Sequence, residues 1–367
     1  MAKLKIPAGP QEITPEWLTQ ALRQTGTITD ATVRSFDSMT IGEGAGFMGQ
    51  LAQVALHYED SEAGAPRSLI AKFPSSIPEN RYIGNLFHFY ERETRFYEEI
   101  AAEVELRTPR CYYSAMDIEA DEYVLLLEDL APARVGDQVA GCTPDEAELA
   151  IRHLAKFHAT WWESPRLAEI GWMPASNDPT QVQAAEDSYR GTWDSFLERF
   201  GDKLQASMVR TGERLADNIA GIMAYIAEPP RTIMHGDYRL DNLFFATTEG
   251  GDPLAVIDWQ ISFRGRGVFD VAYLMSSGLR PDDRKAKEMD ILRSYHSILT
   301  ENGVRDYSFD QCLHDYRLST LFCLVYPVIG GGSVDMGNER GVALWNGWLD
   351  RNAAAILDLD AGELLAK

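Results

Sequence analysis

The stretch HGDYRLDNLFF (residues 235–245) and the stretch VIDWQ (256–260) decide how this sequence is interpreted. Asp237 and Asn242 come before a short apolar run, and Asp258 ends a second one. The segment between them, TTEGGDP (247–253), is rich in turn-forming residues, so the two runs are predicted to form a hairpin. With the turn centred on Gly250, Asn242 pairs with Asp258, because the numbers of opposed residues have a constant sum.

This hairpin predicts a metal site. Carboxylate and amide oxygens are the ligands that Mg²⁺ prefers, and Asn242 and Asp258 bring one of each to the same end of the hairpin. Asp237, in the loop just before, can reach the same ligand from another side. The alternative is a polar loop that contains acids and an amide by chance, so the rest of the chain has to decide.

Bulk composition limits the classes of partner. The chain has 367 residues, 45% of them hydrophobic, which is enough for one large domain or two ordinary ones. It has 34 basic and 56 acidic residues, a formal net charge of -22. Such a charge repels nucleic acid and anionic membrane surfaces, so neither is expected as a partner. An anionic ligand must therefore be held by a local group of donors.

Cysteine usage and hydropathy predict a soluble, cytoplasmic protein. The four cysteines form no CxxC pair, which is typical of reduced thiols. The first residues lack the apolar segment of a secretory signal. The longest apolar run, Leu321 to Ile329, is too short to span a bilayer. The oligomeric state stays open.

Strand and helix patterns divide the chain near residue 130. Residues 1–130 contain five strand-like runs and one main helix, NLFHFYERETRFYEEIAAEV (85–104), which predicts a small antiparallel sheet carrying a helix. Residues 131–367 are mostly helical, and Thr143 with Glu146 forms a capping box at the start of a long helix. The predicted fold class is α+β, with a β-rich first domain and a larger α-rich second domain.

A glycine-rich segment separates the first two strands. Gly42, Gly44, Gly46 and Gly49 would let backbone N–H groups approach a phosphate closely. Taken alone, such glycines are more often a flexible turn than a nucleotide contact, so this segment by itself predicts little.

Lys72 lies inside the apolar strand LIAKF. A buried ammonium is costly unless it is paired, although a lysine at a sheet edge can also extend to water. Glu93 falls on the apolar face of the following helix, where a solvated glutamate is not expected. The two residues are predicted to form an ion pair that places the ammonium at the α and β phosphates of a nucleotide.

The segment LLLEDLAPA follows a buried strand at the domain boundary. Backbone N–H and C=O groups between Glu128 and Leu130 could bind the hydrogen-bonding edge of an adenine ring. An ordinary interdomain hinge has the same sequence features.

The order of these features resembles that of kinase-type phosphotransferases. His235-Gly236-Asp237 with Asn242 matches the motif HGDxxxxN, and Ile257-Asp258-Trp259 matches IDW, both of the aminoglycoside phosphotransferase and choline kinase superfamily. The segments ERETRFYEEI (91–100) and HLAKFHATWW (153–162) resemble those of its ecdysteroid-kinase-like and bacterial phosphotransferase branch.

This resemblance implies a two-lobed, protein-kinase-like fold and the cofactors ATP and Mg²⁺. Asp237 is then the catalytic residue that accepts or orients the proton of the attacking hydroxyl. Asn242 and Asp258 hold the metal. His235 braces the loop, and Asp270 caps a helix or braces the same loop.

The acceptor is expected to be a small hydroxylated molecule. Gln260 stands where choline kinases carry an acid, which disfavours a choline-like cation, and an apolar sterol-like or hydroxyacyl compound is the favoured acceptor. The Trp-rich segment TWWESPRLAEIGWM (160–173) could line its pocket or pack in the core. Arg239, Arg264 and Arg266 either approach the phosphates or form surface ion pairs.

Other readings stay open at this point. One is a nucleotide-binding pseudokinase scaffold, and another is an aminoglycoside or choline kinase. A protein kinase is disfavoured because the chain has no APE-like activation segment. A structural metal site without catalysis is a further alternative.

Overall fold

The computed structural model describes residues 4–41, 49–60 and 62–365. The chain divides into two compact units, Met1–Pro132 and Ala133–Lys367. The division lies close to residue 130, where the domain boundary was placed from the sequence. Gly42, Gly44 and Gly46 lie outside the described residues.

The N-terminal unit is built on a five-stranded sheet with the order β1-β2-β3-β5-β4, in which all neighbours are antiparallel. This is the sheet predicted from the sequence. Its elements are α1 (Pro15–Gln24), β1 (Val33–Ile41), β2 (Gly49–Tyr58), β3 (Ser68–Pro74), α2 (Pro78–Leu86), α3 (Phe89–Arg95), β4 (Cys111–Asp117) and β5 (Glu122–Glu128).

Alternation along the strands builds the core on one face of this sheet. Ala52, Val54 and Leu56 of β2 point to the same side and are buried. They belong to a cluster that includes Leu18 and Leu22 of α1. Helix α1 covers that face and begins at the N-cap residue Thr14, which is followed by Pro15.

The predicted helix over residues 85–104 is wrong as a single element. Helix α2 ends at Leu86, and His88 adopts a left-handed backbone conformation with φ of 55°. Helix α3 then continues as a π-helical turn, Phe96–Ile100, and a 3-10 turn. The spacing of apolar residues predicted one helix because spacing alone does not reveal a residue with a left-handed backbone. Phe96 and Tyr97, at the start of the π turn, are both buried.

The C-terminal unit is mostly helical and carries two small sheets, β6-β8-β9 and β7-β10. Its elements are β6 (Arg134–Val135), α4 (Pro144–Trp161), α5 (Pro179–Phe200), α6 (Ala206–Leu215), α7 (Ile219–Ala227), β7 (Thr232–Met234), β8 (Leu243–Thr247), β9 (Gly250–Val256), β10 (Phe263–Gly265), α8 (Val268–Gly278), α9 (Pro281–Glu301), α10 (Phe309–Phe322), α11 (Val325–Ser333) and α12 (Glu339–Asp358). The predicted α+β architecture is confirmed.

The β8–β9 hairpin forms, but its predicted register is wrong by one residue. Leu243 pairs with Val256, so the residue opposite Asn242 is Ile257 and not Asp258. The Ile257 N–H donates to the Asn242 carbonyl at 3.0 Å. The cause is that Gly250 extends strand β9, which moves the turn toward the N-terminus of the assumed centre.

Helix α8 forms the centre of the C-terminal unit, since every residue from Val268 to Gly278 is buried. Helices α4, α10 and α12 pack near it, and α4 begins with the predicted capping box of Thr143 and Glu146. All four cysteines are free thiols. Within the described ranges, no helix is long and apolar enough to cross a membrane.

Candidate active site

The loop that follows β7 depends on a glycine. Gly236 has a φ of +83°, a conformation that L side chains rarely adopt. A Cβ atom at this position would lie 2.6 Å from the carbonyl oxygen of Ile261. The chain can therefore make this turn only with glycine, and the turn delivers Asp237 to the site.

His235 braces the loop, as predicted. Its Nδ1 accepts a hydrogen bond from the Asp237 N–H at 3.2 Å, and its Nε2 lies 2.8 Å from the Ile257 carbonyl oxygen. A ring that accepts at Nδ1 and donates at Nε2 is the neutral tautomer. The imidazole thus ties the loop of Asp237 to the residue before Asp258, and both of its nitrogens are engaged in this bracing.

Asp270 also holds the loop. Its carboxylate accepts the N–H groups of His235 at 2.7 Å and of Gly236 at 3.0 Å, and lies 3.3 Å from Nε2 of His158. The side chain makes no cap to its own helix, whose N-cap residue is Gly267. Of the two roles expected for Asp270, loop bracing is the one observed.

In the part of the chain that the structure describes, three hydrogen-bond donors surround the carboxylate of Asp237. The hydroxyl of Tyr273 donates to Oδ1 at 2.7 Å. Asn242 Nδ2 and Arg239 Nε donate to Oδ2 at 3.0 and 3.2 Å. The predicted base and one predicted metal ligand are therefore in direct contact.

Tyr273 was missed in the sequence analysis. It is 3% exposed, and burial next to Asp237 raises the pKa of its phenol well above the ordinary value, so the hydroxyl stays a donor. Its spacing from Asp270 was the available signal, because residues three apart on a helix share a face. Nothing in the sequence shows which way that face points.

Asp258 lies at the start of a 3-10 turn and has a φ of 67°. Aspartate tolerates this left-handed conformation better than most residues. Its preceding residue, Ile257, bonds to Asn242 through N–H and to His235 through C=O. Gln260 Nε2 lies 3.4 Å from Asp258 Oδ2.

The donor set suits a metal that also binds a ligand. Asn242 and Asp258 offer one amide and one carboxylate, both of them oxygen ligands of the kind Mg²⁺ takes. The described residues contain no cluster of three or more His, Cys, Asp and Glu side chains suited to a metal ion. A cation held here needs further oxygens, as phosphates supply.

Two of the three arginines expected near phosphates have other roles. Arg266 is buried, forms a 2.9 Å ion pair with Asp315 and lies over the ring of Tyr225. Arg264 donates to the carbonyl of Leu167 at 2.6 Å. Both fix loops of the C-terminal unit, and neither forms the expected surface ion pair. Arg239 alone contacts a predicted site residue.

In the N-terminal unit, the predicted pair of Lys72 and Glu93 is formed. Their charged atoms are 2.6 Å apart, and the two side chains are only 9% and 1% exposed. Lys72 lies on β3, which is hydrogen-bonded to strands on both sides, so it is not an edge residue. The pair satisfies a charge on the apolar strand, as its position required.

The segment after β5 is partly used within the same unit. The Glu128 N–H donates to the Arg110 carbonyl at 2.8 Å, and its carboxylate binds Arg107 at 2.7 and 2.8 Å. In the part of the chain that the structure describes, no hydrogen bond engages the backbone of Leu130. Of the backbone groups predicted to bind adenine, the Glu128 N–H is therefore already engaged within the unit. The prediction is left with the groups that follow it, up to Leu130.

The Trp-rich segment divides between core and surface. Trp161 is 2% exposed and the guanidinium of Arg166 lies over its ring. The ring of Trp162 lies tilted against that of Tyr307, with centroids 4.9 Å apart, and lines a surface groove with Pro229. Core packing therefore accounts for Trp161.

A scan against protein-family models matches residues 43–305 to the ecdysteroid kinase-like family. The chain belongs to this family. It is therefore a small-molecule kinase, an enzyme that transfers a phosphate group to a hydroxyl group. The match includes Lys72, Glu93, Asp237, Asn242 and Asp258.

Solved structures show that this ecdysteroid kinase-like protein has the kinase-like fold. A protein of Ralstonia eutropha JMP134 provisionally named an aminoglycoside phosphotransferase has a TM-score of 0.57 at 17% identity, over 95% of this chain and 98% of the other. The GDP complex of aminoglycoside 2'-phosphotransferase-IIIa gives 0.52 at 15% identity, over 93% and 99%. Plasmodium vivax ethanolamine kinase gives 0.50 at 12% identity, over 90% and 84%.

This chain also has a shorter match to a much larger protein. Over 96 residues it is 35% identical to acyl-CoA dehydrogenase family member 10 of Mus musculus. The match covers 26% of this chain and 8% of that protein. The likeness is therefore local, and the activity of that larger protein is not attributed to this chain.

Proposed function

We propose that the protein transfers the γ-phosphate of ATP, with Mg²⁺, to a hydroxyl group of a small apolar molecule. The observation that carries this proposal is the joint placement of Asp237 and Asn242. Their side chains meet at 3.0 Å in a loop that His235 ties to the residue before Asp258. A base and two oxygen ligands are thereby held by one hydrogen-bonded frame.

Asp237 is the proposed catalytic residue. A carboxylate has about four lone-pair positions, and three donors occupy three of them: two on Oδ2 and one on Oδ1. The position that remains, on Oδ1, can accept the hydroxyl of an acceptor. The attacking oxygen forms its bond to the γ-phosphorus, its proton passes to Asp237, and the bond to the ADP oxygen breaks.

Asn242 and Asp258 would hold Mg²⁺ through their side-chain oxygens. When bound, the ion neutralises charge on the β and γ phosphates. Asn242 is 4% exposed and its Nδ2 donates to the Asp237 carbonyl and carboxylate, which directs its oxygen away from Asp237. The amide is thus oriented for a ligand role without any metal.

In the N-terminal unit, Lys72 would neutralise the α and β phosphates, with Glu93 holding its ammonium in place. The backbone of Leu130 would bind adenine. The amides near Gly42, Gly44 and Gly46 would cover the triphosphate, and they lie outside the described residues. Support for nucleotide use comes from the related fold of aminoglycoside 2'-phosphotransferase-IIIa, which was solved with GDP.

An aromatic cluster next to the proposed base supports an apolar acceptor. The ring of Tyr273, whose hydroxyl binds Asp237, lies 4.8 Å from that of Tyr326 and 5.1 Å from that of Trp348. Trp345 stacks on Trp348 at 5.4 Å. Tyr326 and Trp345 are only partly buried, so apolar surface remains for a bound molecule. A sterol-like or hydroxyacyl alcohol has matching surface.

Gln260 argues against a choline-like acceptor. It is 7% exposed, and its amide nitrogen turns toward Asp258, which leaves no negative charge at this position for a cation. Aromatic rings also bind quaternary ammonium groups, so a choline-like compound belongs in the test as a direct competitor.

The test is ADP release from Mg-ATP in the presence of a panel of alcohols. The panel contains sterols, hydroxyacyl compounds, choline, ethanolamine and an aminoglycoside. We expect one of the two apolar classes to raise ADP release above the rate without acceptor, and Asp237→Asn to abolish the increase. The same apolar compounds should raise the melting temperature only when a non-hydrolysable ATP analogue is present.

Three results would contradict the proposal. If no compound raises ADP release above that of Asp237→Asn, the transfer reaction is not supported. If choline, ethanolamine or the aminoglycoside is the preferred acceptor, phosphotransfer stands and the apolar acceptor is wrong. Phosphate incorporation into a protein substrate instead of an alcohol would favour the protein-kinase reading.

A further inference from the structure

Arg239 lies within a group of acidic side chains in the C-terminal unit. Its Nε donates to Asp237 Oδ2 at 3.2 Å, and its Nη1 lies 3.7 Å from Asp241 Oδ2. Among the described residues, its Nη2 donates to no protein acceptor. Two carboxylates therefore fix the position of the guanidinium, and its remaining N–H donors can bind a ligand.

The environment keeps this side chain charged. Burial lowers the pKa of Arg239, but the negative groups around it, Asp237 first and also Asp241 and Asp258, outweigh that cost and raise the pKa above the ordinary value. The side chain is 18% exposed, so its charge is partly shielded from water. A guanidinium in such a place interacts more strongly with an anion than one at the surface.

The proposed reaction requires the phosphoryl group to come close to this guanidinium. The γ-phosphorus must lie next to the hydroxyl that Asp237 accepts, and its oxygens must reach the metal ligands Asn242 and Asp258. Arg239 contacts Asp237 directly and lies within electrostatic range of Asp258. Arg239 therefore adjoins the place that the proposed reaction requires for the transferred group.

A second cation beside the proposed Mg²⁺ would further reduce the negative charge at this place. Asp237, Asp241 and Asp258 repel an approaching triphosphate, and the chain as a whole has a net charge of -22. Asn242 adds no charge to the metal site. Arg239 is the arginine that touches the proposed base, and it both offsets the charge of Asp237 and offers donors to phosphate oxygens.

We propose that Arg239 binds the γ-phosphate of the nucleotide and stabilises the negative charge on the phosphoryl group during transfer. This inference rests on the proposed function. The chemical step is unchanged: the acceptor oxygen bonds to phosphorus, its proton goes to Asp237, and ADP leaves. Arg239 takes no proton, because a guanidinium stays charged throughout.

Nucleotide binding tests this assignment without any acceptor. The dissociation constants of ADP and of the non-hydrolysable analogue AMP-PNP, both with Mg²⁺, are measured by calorimetry for the full-length protein and for Arg239→Gln. Loss of a γ-phosphate contact should weaken AMP-PNP binding by roughly tenfold to a hundredfold, the range for a charge-assisted hydrogen bond. ADP binding should change by less than about twofold and so also reports that the variant is folded.

Arg340 provides a matched control. Its Nη2 lies 3.5 Å from Asp241 Oδ1, so it pairs with the same acid as Arg239, but it makes no contact with Asp237 and is 50% exposed. Arg340→Gln removes the same charge from the same neighbourhood. It should leave both dissociation constants within about twofold of the original protein.

Turnover adds a second readout. With the acceptor found in the panel, Arg239→Gln should lower kcat by at least about a hundredfold, because the contact strengthens as charge develops on the phosphoryl group. Arg239→Lys keeps the charge but lacks the planar guanidinium, so its kcat should lie between those of the original protein and of Arg239→Gln. KM for the acceptor should stay unchanged.

Several outcomes overturn the inference. Equal weakening of ADP and AMP-PNP in Arg239→Gln means that Arg239 only maintains the loop. Unchanged AMP-PNP affinity means that no γ-phosphate contact exists. The proposed function fails separately, when the unsubstituted protein binds neither nucleotide or shows no acceptor-dependent ADP release.

Discussion

Two carboxylates of the C-terminal unit, Asp237 and Asp315, have similar partners and different consequences. Each accepts hydrogen bonds from an arginine and from tyrosine hydroxyls or an amide. Asp315 accepts from Tyr225 and Gln311 at 2.7 Å on Oδ1, and from Arg266 at 2.9 Å and Tyr307 at 3.0 Å on Oδ2. These four donors fill its four lone-pair positions, and its side chain is 1% exposed.

Among the described residues, Asp237 differs from Asp315 in two ways: one acceptor position of its carboxylate has no donor, and its side chain is more exposed. Three donors reach its carboxylate, and the side chain is 12% exposed. The kind of partner therefore does not separate the structural carboxylate of Asp315 from the proposed base, Asp237. A vacant acceptor position that a ligand can reach does.

The largest expected effect comes from changing the proposed base, Asp237. Asp237→Asn keeps the shape of the side chain but removes the proton acceptor, so kcat should fall by about a hundredfold to ten-thousandfold. The melting temperature should change less than in Asp315→Asn, because the Asp237 side chain is 12% exposed and that of Asp315 is 1% exposed. Acceptor-dependent ADP release and thermal unfolding are measured on the same preparation. A kcat within tenfold of that of the original protein would show that Asp237 is not the proton acceptor.

The opposite pattern is expected for Asp315→Asn. Removing this charge leaves Arg266 buried without its counter-ion, which should lower the free energy of unfolding by about 3 kcal/mol. Urea denaturation measures this loss. At a temperature where the variant stays folded, kcat should remain within about twofold. A large loss of kcat there would show that Asp315 also serves the site.

A smaller effect is expected when Tyr273 is changed to Phe. The ring remains in its aromatic cluster, but Oδ1 of Asp237 loses the hydrogen bond that fixes it. We expect kcat to fall about tenfold, which corresponds to the loss of one hydrogen bond to a charged group, with KM for ATP unchanged.

Tyr307→Phe is the matched control for Tyr273→Phe, since its hydroxyl donates to Asp315 in the same way at 3.0 Å. It should cost about 1 kcal/mol of stability and leave kcat unchanged. Similar kinetics in the two variants would remove the distinction between the two carboxylates.

The smallest effect is a pH dependence in the Asp315 group. Burial and the hydrogen bond to Asp315 raise the pKa of Tyr225 from 10.0 to about 12. Since the folded value is the higher one, the protonated phenol contributes stability that is fully present below pH 10 and is lost as the pH rises toward 12. Urea denaturation between these values should show the decline.

Tyr225→Phe should reduce that decline, because the group that titrates is gone. The comparison is made between the variant and the original protein at each pH, so that other tyrosines cancel. Parallel curves for the two proteins would mean that Tyr225 titrates alike in the folded and unfolded states.

Features that follow from local chemistry could be predicted from the sequence. Lys72 and Glu93 were paired because each was anomalous on an apolar surface, and a buried charge requires a partner. His235 was assigned to bracing, and the structure confirms it. The capping box of Thr143 and Glu146 could be predicted because it is a contact between residues that are close in the sequence.

Features that depend on geometry beyond neighbours were missed or wrong. The hairpin register was assumed from the turn composition, and one residue of error moved Asp258 out of line with Asn242. Arg266 and Arg239 have the same charge and both lie close to motif residues, yet one contacts Asp315 and the other Asp237. Their sequence positions do not show where the side chains point.

The sequence by itself determined the α+β class, the family resemblance, the residues of the motifs and the buried ion pair of the first unit. These follow from residue type, short spacing and the cost of burying charge. Only the tertiary structure decided that Tyr273 binds Asp237 and that Asp315 is filled. It also decided that Arg239 stands beside the proposed base. The contact of Tyr273 with Asp237 joins residues far apart in the chain, and Arg239 lies only two residues from Asp237. In both cases the directions of the side chains are set by the packing of the unit, which residue type and spacing do not show.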